Sequence, residues 1–346
     1  MSLTLVNATV TAPSPEQGDG NPFNYVPTSW VCILFIILFS LTTVVHVLQA
    51  FWLKVWYMLP TLALCGLVET IGWAGRYWGH KNPYNRSPFL MQICTTIMAP
   101  SFMTAAMFLV LPRIVSELGQ EYSRMSPRLY PIIFLTADVG ALLLQAIGGA
   151  VASSATTLEG ANRGGNIMLA GIVIQLAAVT LFDLLSIEFV ARYALGRPAY
   201  RTSVDHEQKH TIPKRVALML LGVGIASVFI LIRSVYRTTS VDHEQKHTIP
   251  KRVALMLLGV GIASVFILIR SVYRTIELTD GWNGRIISTE KWFNWFDGGA
   301  VVAAMATFNV FHPGLLIKNY GNKLLKFGRR PTHELESQEQ KLPDQI

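Results

Sequence analysis

Charged side chains are scarce in this sequence: Asp, Glu, Lys and Arg make up 14% of it, where a soluble domain carries about 25%. Set beside 51% hydrophobic residues, that deficit excludes an ordinary soluble globule. Cysteine is nearly absent. The three present, Cys32, Cys65 and Cys94, stand in apolar stretches, so neither a disulfide framework nor a zinc site is expected. Residues 1–29 contain no Lys or Arg, which leaves no basic start for a cleaved signal peptide. No G-x-x-x-x-G-K-[ST] loop occurs, so ATP-driven pumping by this chain is not expected. The formal charge of +8 forms no basic patch apart from the apolar runs, which argues against a nucleic-acid partner.

What the chain does have is long apolar runs. Several reach the ~20 residues that cross ~30 Å of hydrocarbon, and they are continuous, unlike the alternating strands of a β-barrel. The expected fold is all-α, a polytopic transmembrane helical bundle. Spans are read at Trp30–Trp52, Val55–Tyr77, Phe89–Val115, Leu129–Ala152, Ile167–Ala191 and Trp292–Ile317, with Pro100 and Pro112 as expected kinks in the third. The expected organisation is an extracellular, structureless tail over 1–29, a bundle over 30–317 and a cytoplasmic, structureless tail over 318–346. Asn7 opens an Asn-Ala-Thr glycosylation sequon, consistent with an outside N-terminus or with an unused chance match.

Between the fifth and last of these spans the chain repeats itself. Thr202–Thr238 and Thr239–Thr275 are identical over 37 residues, and each copy holds one apolar run, Val216–Ile232 or Val253–Ile269. Structural repeats normally drift apart, so identity points to a recent tandem duplication or an error in the assembled gene. Eight candidate spans result, yet charge argues for seven. The N-terminal segment lacks basic residues, whereas Lys318, Lys323, Lys326, Arg329 and Arg330 follow the last span, and an outside start with an inside end needs an odd number. The second copy is the complete one, because only it continues into Ile276-Glu277. His206 and His210, copied as His243 and His247, have the spacing of a zinc pair but no third ligand nearby, and read as solvated loop residues.

The charges that do enter the spans are the candidate site. Arg270, Arg274 and Glu277 fall at i, i+4 and i+7, one stripe of a helix. An ionisable group at the bilayer centre costs on the order of 3 kcal/mol, so such residues face the bundle interior and find partners; a helix end reaching the head groups is the other reading. Glu69 and Arg76 share a face seven residues apart, either as a structural ion pair or as a ligand site. Asp138 and Gln145, and Glu290 and Asp297, repeat that spacing. Asp297 lies inside the last span, and His312 stands in a His-Pro-Gly at its end. Glu69, Asp138 and Asp297 are acids inside spans that each need a partner, and a substrate amine whose chain lies against apolar walls is one such partner.

VETIGWAGR in the second span, DVGALLLQAIGG in the fourth, IRSVYRTIEL before the last, then EKWFNWFD and HPG occur in order and at helical positions. Together they resemble the fungal lipid-translocating exporters, a seven-span family that includes sphingoid long-chain-base exporters and aminocholesterol-resistance proteins. The resemblance covers residues 28–316 apart from one copy of the repeat. It implies a non-enzymatic membrane transporter, expected at the plasma membrane or another endomembrane, that exports or flips cationic amphiphiles and confers resistance to them. It singles out Glu69, Arg76, Asp138, Gln145, Arg270, Arg274, Glu277, Glu290, Asp297 and His312. No cofactor or metal is implied; the partners are a lipid-like small molecule and the bilayer. A seven-span receptor or lipid sensor fits the same topology. A membrane hydrolase of the ceramidase type does not, since only His46 and His312 lie in or near spans.

Overall fold

A computed structural model describes residues 21–199, 250–282 and 284–316. Within them seven helices are long and apolar enough to cross a membrane: α1 Ser29–Trp52, α2 Trp56–Lys81, α3 Arg86–Leu118, α4 Leu129–Ser154, α5 Leu158–Ala194, α6 Lys251–Asp280 and α7 Glu290–Leu316. No strand occurs among the described residues. The chain is an all-helical, multi-pass integral membrane protein. Asn7, His206, His210, His243, His247, the apolar run Val216–Ile232 and the tail from Lys318 lie outside the described residues.

The helices outrun their apolar stretches because polar caps extend them. Asn85 accepts the Ser87 N–H at 2.9 Å and starts α3 three residues before Phe89. Thr157 accepts the Gly160 N–H at 3.2 Å and starts α5 at Leu158 rather than Ile167. Pro100 and Pro112 are both inside the single continuous helix α3. Two spans contain wide π turns, Leu59–Ala63 in α2 and Asn294–Gly299 in α7.

Successive helices are antiparallel neighbours, with the polarity of a soluble protein reversed. Ile37, Leu41, Val44 and Leu48 on α1 and Val139, Leu143 and Ile147 on α4 point outward, each more than half exposed, while Arg and Asp are inside. Small residues draw α4 and α5 together: a Cβ on Gly148 would lie 2.5 Å from the Met168 nitrogen, and one on Gly164 2.3 Å from that of Ala152. Trp282, just past α6, donates to the Ala161 carbonyl near the start of α5, so α6 runs back along α5. The end of α5 and the start of α6 therefore share a face. The second copy of the repeat supplies α6, and the described spans alternate direction without the first.

One end of the bundle, the N-terminal face, is closed by residues 21–28, which pack on it although a structureless tail was expected as far as 29. Phe23 is buried against Phe89 and the bare Cα of Gly79, Asn24 donates to the Trp282 carbonyl, and His80 meets the Pro27 carbonyl.

Candidate functional site

Beneath that strap, α2, α3, α6 and α7 enclose a buried ionic cluster. Arg274 is wholly buried and uses every arm: Nε and Nη2 donate to the two oxygens of Asp297 at 2.8 Å each, Nη1 to Glu277 Oε2 at 2.8 Å, and Nη2 also to Thr96 Oγ1. Arg270, one turn earlier, donates to Asp297 Oδ1 at 3.0 Å. The other carboxylate oxygen of Glu277 accepts the Tyr273 hydroxyl at 2.9 Å. Asp297 sits in the π turn of α7, whose widened backbone sets its carboxylate between the two arginines. Side-on, doubly bonded pairing of this kind is what lets a buried ion pair offset the loss of water.

A proline explains where the second arm of Arg270 goes. In α3 the Thr96 carbonyl would accept the N–H of residue 100, but Pro100 has none. Arg270 Nη2 supplies the missing donor to Thr96 O and also reaches Ile97 O. The helix interruption and the intramembrane arginine thus satisfy each other.

Arg76 belongs to the outer edge of the cluster. The pairing with Glu69 does not form: seven residues of helix separate them by about 10 Å, and Arg76 turns to the N-terminal face instead. There it donates to the Tyr25 hydroxyl at 2.9 Å and to Glu290 Oε1 at 3.4 Å. Its guanidinium lies 4.3 Å from the Phe293 ring centre, 5.3 Å from Trp73 and 5.6 Å from Tyr25. Arg274 is 5.0 Å from the same Phe293 ring, so one aromatic face-pair serves both cations. Glu290 in turn accepts the Thr28 N–H and hydroxyl at 2.8 and 2.6 Å, which ties the start of α1 to that of α7. Burial pushes the Tyr25 phenol above its usual range while Arg76 pulls it back, and it stays protonated at neutral pH.

Glu69 is different in kind. It is completely buried, and neither carboxylate oxygen has a hydrogen-bond partner among the described residues. Three arginines (76, 270 and 274) face three bonded carboxylates (277, 290 and 297), and Glu69 is a fourth acid beyond that balance.

A second polar group crosses α3, α4 and α5. Thr104 donates to Asp138 Oδ2 at 2.7 Å, Gln145 to Gln175 at 3.1 Å, and Gln175 to Ser101 at 2.8 Å. Asp138 Oδ1 and Gln145 Oε1 are buried without a partner. Gln145 also lines a cavity of about 330 Å³, walled by Leu90, Cys94, Ile97 and Met98 of α3, Ala146, Gly149 and Ala150 of α4, and Met168 of α5. Ala146 and Ala150 are exposed on the outer surface of the bundle, so the cavity opens sideways, toward lipid.

The structure therefore brings Arg76, Arg270, Arg274, Glu277, Glu290 and Asp297 together with Glu69 beside them, and places Asp138 and Gln145 across α3. His312 is apart from both, near the opposite face, accepting the Gly314 N–H beside Val55 and Leu53. Sequence reasoning missed Thr96, Tyr25, Tyr273 and Thr28, whose types carry no signal until their neighbours are known. Phe293 had a signal that went unused: it stands three residues after Glu290 and four before Asp297, a spacing that puts all three on one helix face. No group of three or more His, Cys, Asp or Glu suited to a metal occurs among the described residues.

The chain is similar to several known proteins. Two curated yeast relatives from Saccharomyces cerevisiae are each 27% identical. Sphingoid long-chain base transporter RSB1 matches over 295 residues, 85% of this chain and 73% of the relative, and Protein RTA1 over 241 residues, 62% and 72%. Protoporphyrin uptake protein 1, also from that yeast, is 22% identical over 324 residues, 83% of this chain and 90% of the relative. No solved structure matches. The model of the RTA1-like proteins matches residues 62–252 and again 239–320, overlapping inside the second copy of the repeat, and between them the two matches run from α2 to the end of α7: the chain belongs to the RTA1-like protein family.

Proposed function

We propose that this chain is a non-enzymatic translocator of single-chain cationic amphiphiles, moving them across or out of the membrane and so lowering their toxicity. The observation that carries this reading is the lateral cavity between α3 and α4, with apolar walls and the unpartnered, buried Gln145 Oε1 at its inner side. Apolar pockets with a few placed polar groups are the common form of a small-molecule site. An alkyl chain fits its walls, and an amine or hydroxyl head would give Gln145, and Asp138 two turns deeper, the donors they lack. The names of two relatives, a sphingoid-base transporter and a porphyrin uptake protein, support carriage of lipophilic cargo. Of the acids first considered for the amine, Asp297 is filled by two arginines, which leaves Glu69 and Asp138 with free oxygens.

The test is release of sphinganine from loaded cells, with and without the protein, and with Ala146→Phe, which plugs the cavity from its exposed rim. Efflux from wild-type cells and a several-fold loss in the variant at equal membrane expression are expected. Unaltered efflux in the variant would remove the cavity from the path. Binding without any flux would favour a seven-span lipid sensor instead.

A further inference from the structure

Every acid and arginine of the cluster has a hydrogen-bonded partner among the described residues except Glu69. A buried carboxylate with both oxygens unpaired costs several kcal/mol, so a charge-neutral form is the stable one unless a cation comes to it. Its surroundings say which cation. On its own helix the ionisable neighbour is Cys65; α6 brings Arg270 and Arg274, and α7 brings Asp297. Helices α1 and α3 face this stretch with Phe35, Thr43, Thr95 and Thr96, none of them ionisable. A sodium-sized ion needs several oxygens around it, and two cationic guanidiniums stand where they would have to be. A proton needs one oxygen.

We propose that Glu69 is an exchangeable proton site coupled to the cargo cavity, so that the protein exchanges amphiphilic cations for protons. The proposal rests on the transport reading above. In the empty protein Glu69 is a neutral acid. When it ionises, its proton leaves to water and the O–H bond is broken heterolytically, with the electron pair kept on the carboxylate. The new anion has two groups to turn to. Trp73 Nε1, one turn along the same helix, is a buried donor with no acceptor. Arg270 is held by one bond to Asp297, against two for Arg274, and is the arginine more easily drawn away.

Arg270 is also the link to the cavity. Its Nη2 holds the Thr96 and Ile97 carbonyls at the Pro100 interruption of α3, and Ile97 lines the cavity. A guanidinium pulled toward ionised Glu69 must loosen its hold on those carbonyls, at a place where α3 lacks its own backbone bond. Protonation of Glu69 and the shape of the cavity wall are thus two readouts of the position of one side chain. This is a physical connection through a single residue shared by both sites.

The experiment reconstitutes the full chain in liposomes and follows N,N,N-trimethylsphinganine, whose charge is permanent, so that its own protonation cannot mimic coupling. For one-to-one exchange, making the receiving side one pH unit more acidic raises the final probe ratio about tenfold over that at equal pH, a rise that protein-free liposomes do not show. Glu69→Gln, which cannot ionise, should give the same ratio at both settings. Probe flux in the wild type that ignores the pH gradient would overturn the coupling and leave transport standing; no flux at all would remove both. Infrared spectra of the ligand-free proteins add a readout independent of cargo. The wild type should show a protonated-carboxyl C=O band that Glu69→Gln lacks, and identical bands would show that Glu69 rests ionised and end the proposal.

Discussion

Arg274 and Asp297 meet side-on, two parallel N–H···O bonds of 2.8 Å each, in a place with no solvent exposure on either side chain. Arg270 and Glu277 complete the group from the same face of α6. Such a cluster ties α6 to α7 as a unit, and its members cannot be removed singly without leaving a charge behind.

Asp297→Asn and Glu69→Gln make the same chemical change with opposite expected results. The first leaves two buried guanidiniums with one carboxylate, and should lower stability by about 3–5 kcal/mol. The second removes no hydrogen bond, and stability should stay within about 0.5 kcal/mol or rise. Thermal unfolding in detergent separates them. Equal melting temperatures in the two variants would contradict the assignment of partners.

Arg274 and Arg237 have identical upstream neighbours, since each is the penultimate residue of its copy. Arg274 lies in α6 and binds Asp297 and Glu277; Arg237 is outside the described residues and has Thr239 where Arg274 has Ile276. Arg274→Gln should abolish amphiphile resistance and Arg237→Gln should be tolerated at matched expression. Equal loss would show both copies engaged.

Pro100→Ala gives α3 back the N–H that Thr96 O lacks, in competition with Arg270. Fold stability should change by less than about 1 kcal/mol, since one hydrogen bond replaces another. Transport should fall several-fold, because α3 no longer answers to Arg270. Full transport in this variant, measured in the same liposomes, would disconnect the interruption from function.

Composition and run length suffice for the seven described helices, because lipid allows few alternatives to an apolar helix, whereas preferring seven spans to eight took the charge bias of the two ends. The i, i+4, i+7 spacing of Arg270, Arg274 and Glu277 also makes one face legible, and the structure buries all three. What spacing along one helix cannot supply is the choice of partner across helices. Glu69 and Arg76 share a stripe, yet Arg76 goes to Glu290 and Tyr25, 214 and 51 residues away. The role of Pro100 was equally hidden: a proline signals a lost donor, and only the packed bundle shows an arginine replacing it. One helix start was misjudged by nine residues, at Leu158, because a capped helix continues through polar residues that hydropathy reads as loop.

The sideways mouth at Ala146 and Ala150 changes what the protein senses as dose. A guest that arrives through the hydrocarbon is met at its mole fraction in the leaflet, not at its aqueous level. Each methylene added to its tail deepens that partition by about 0.8 kcal/mol, so two extra carbons enrich the guest more than about tenfold before any residue touches it. On the proposed transport function, chain length then sets which compounds are carried, with the bilayer acting as the first filter of selectivity and the side chains only as the second.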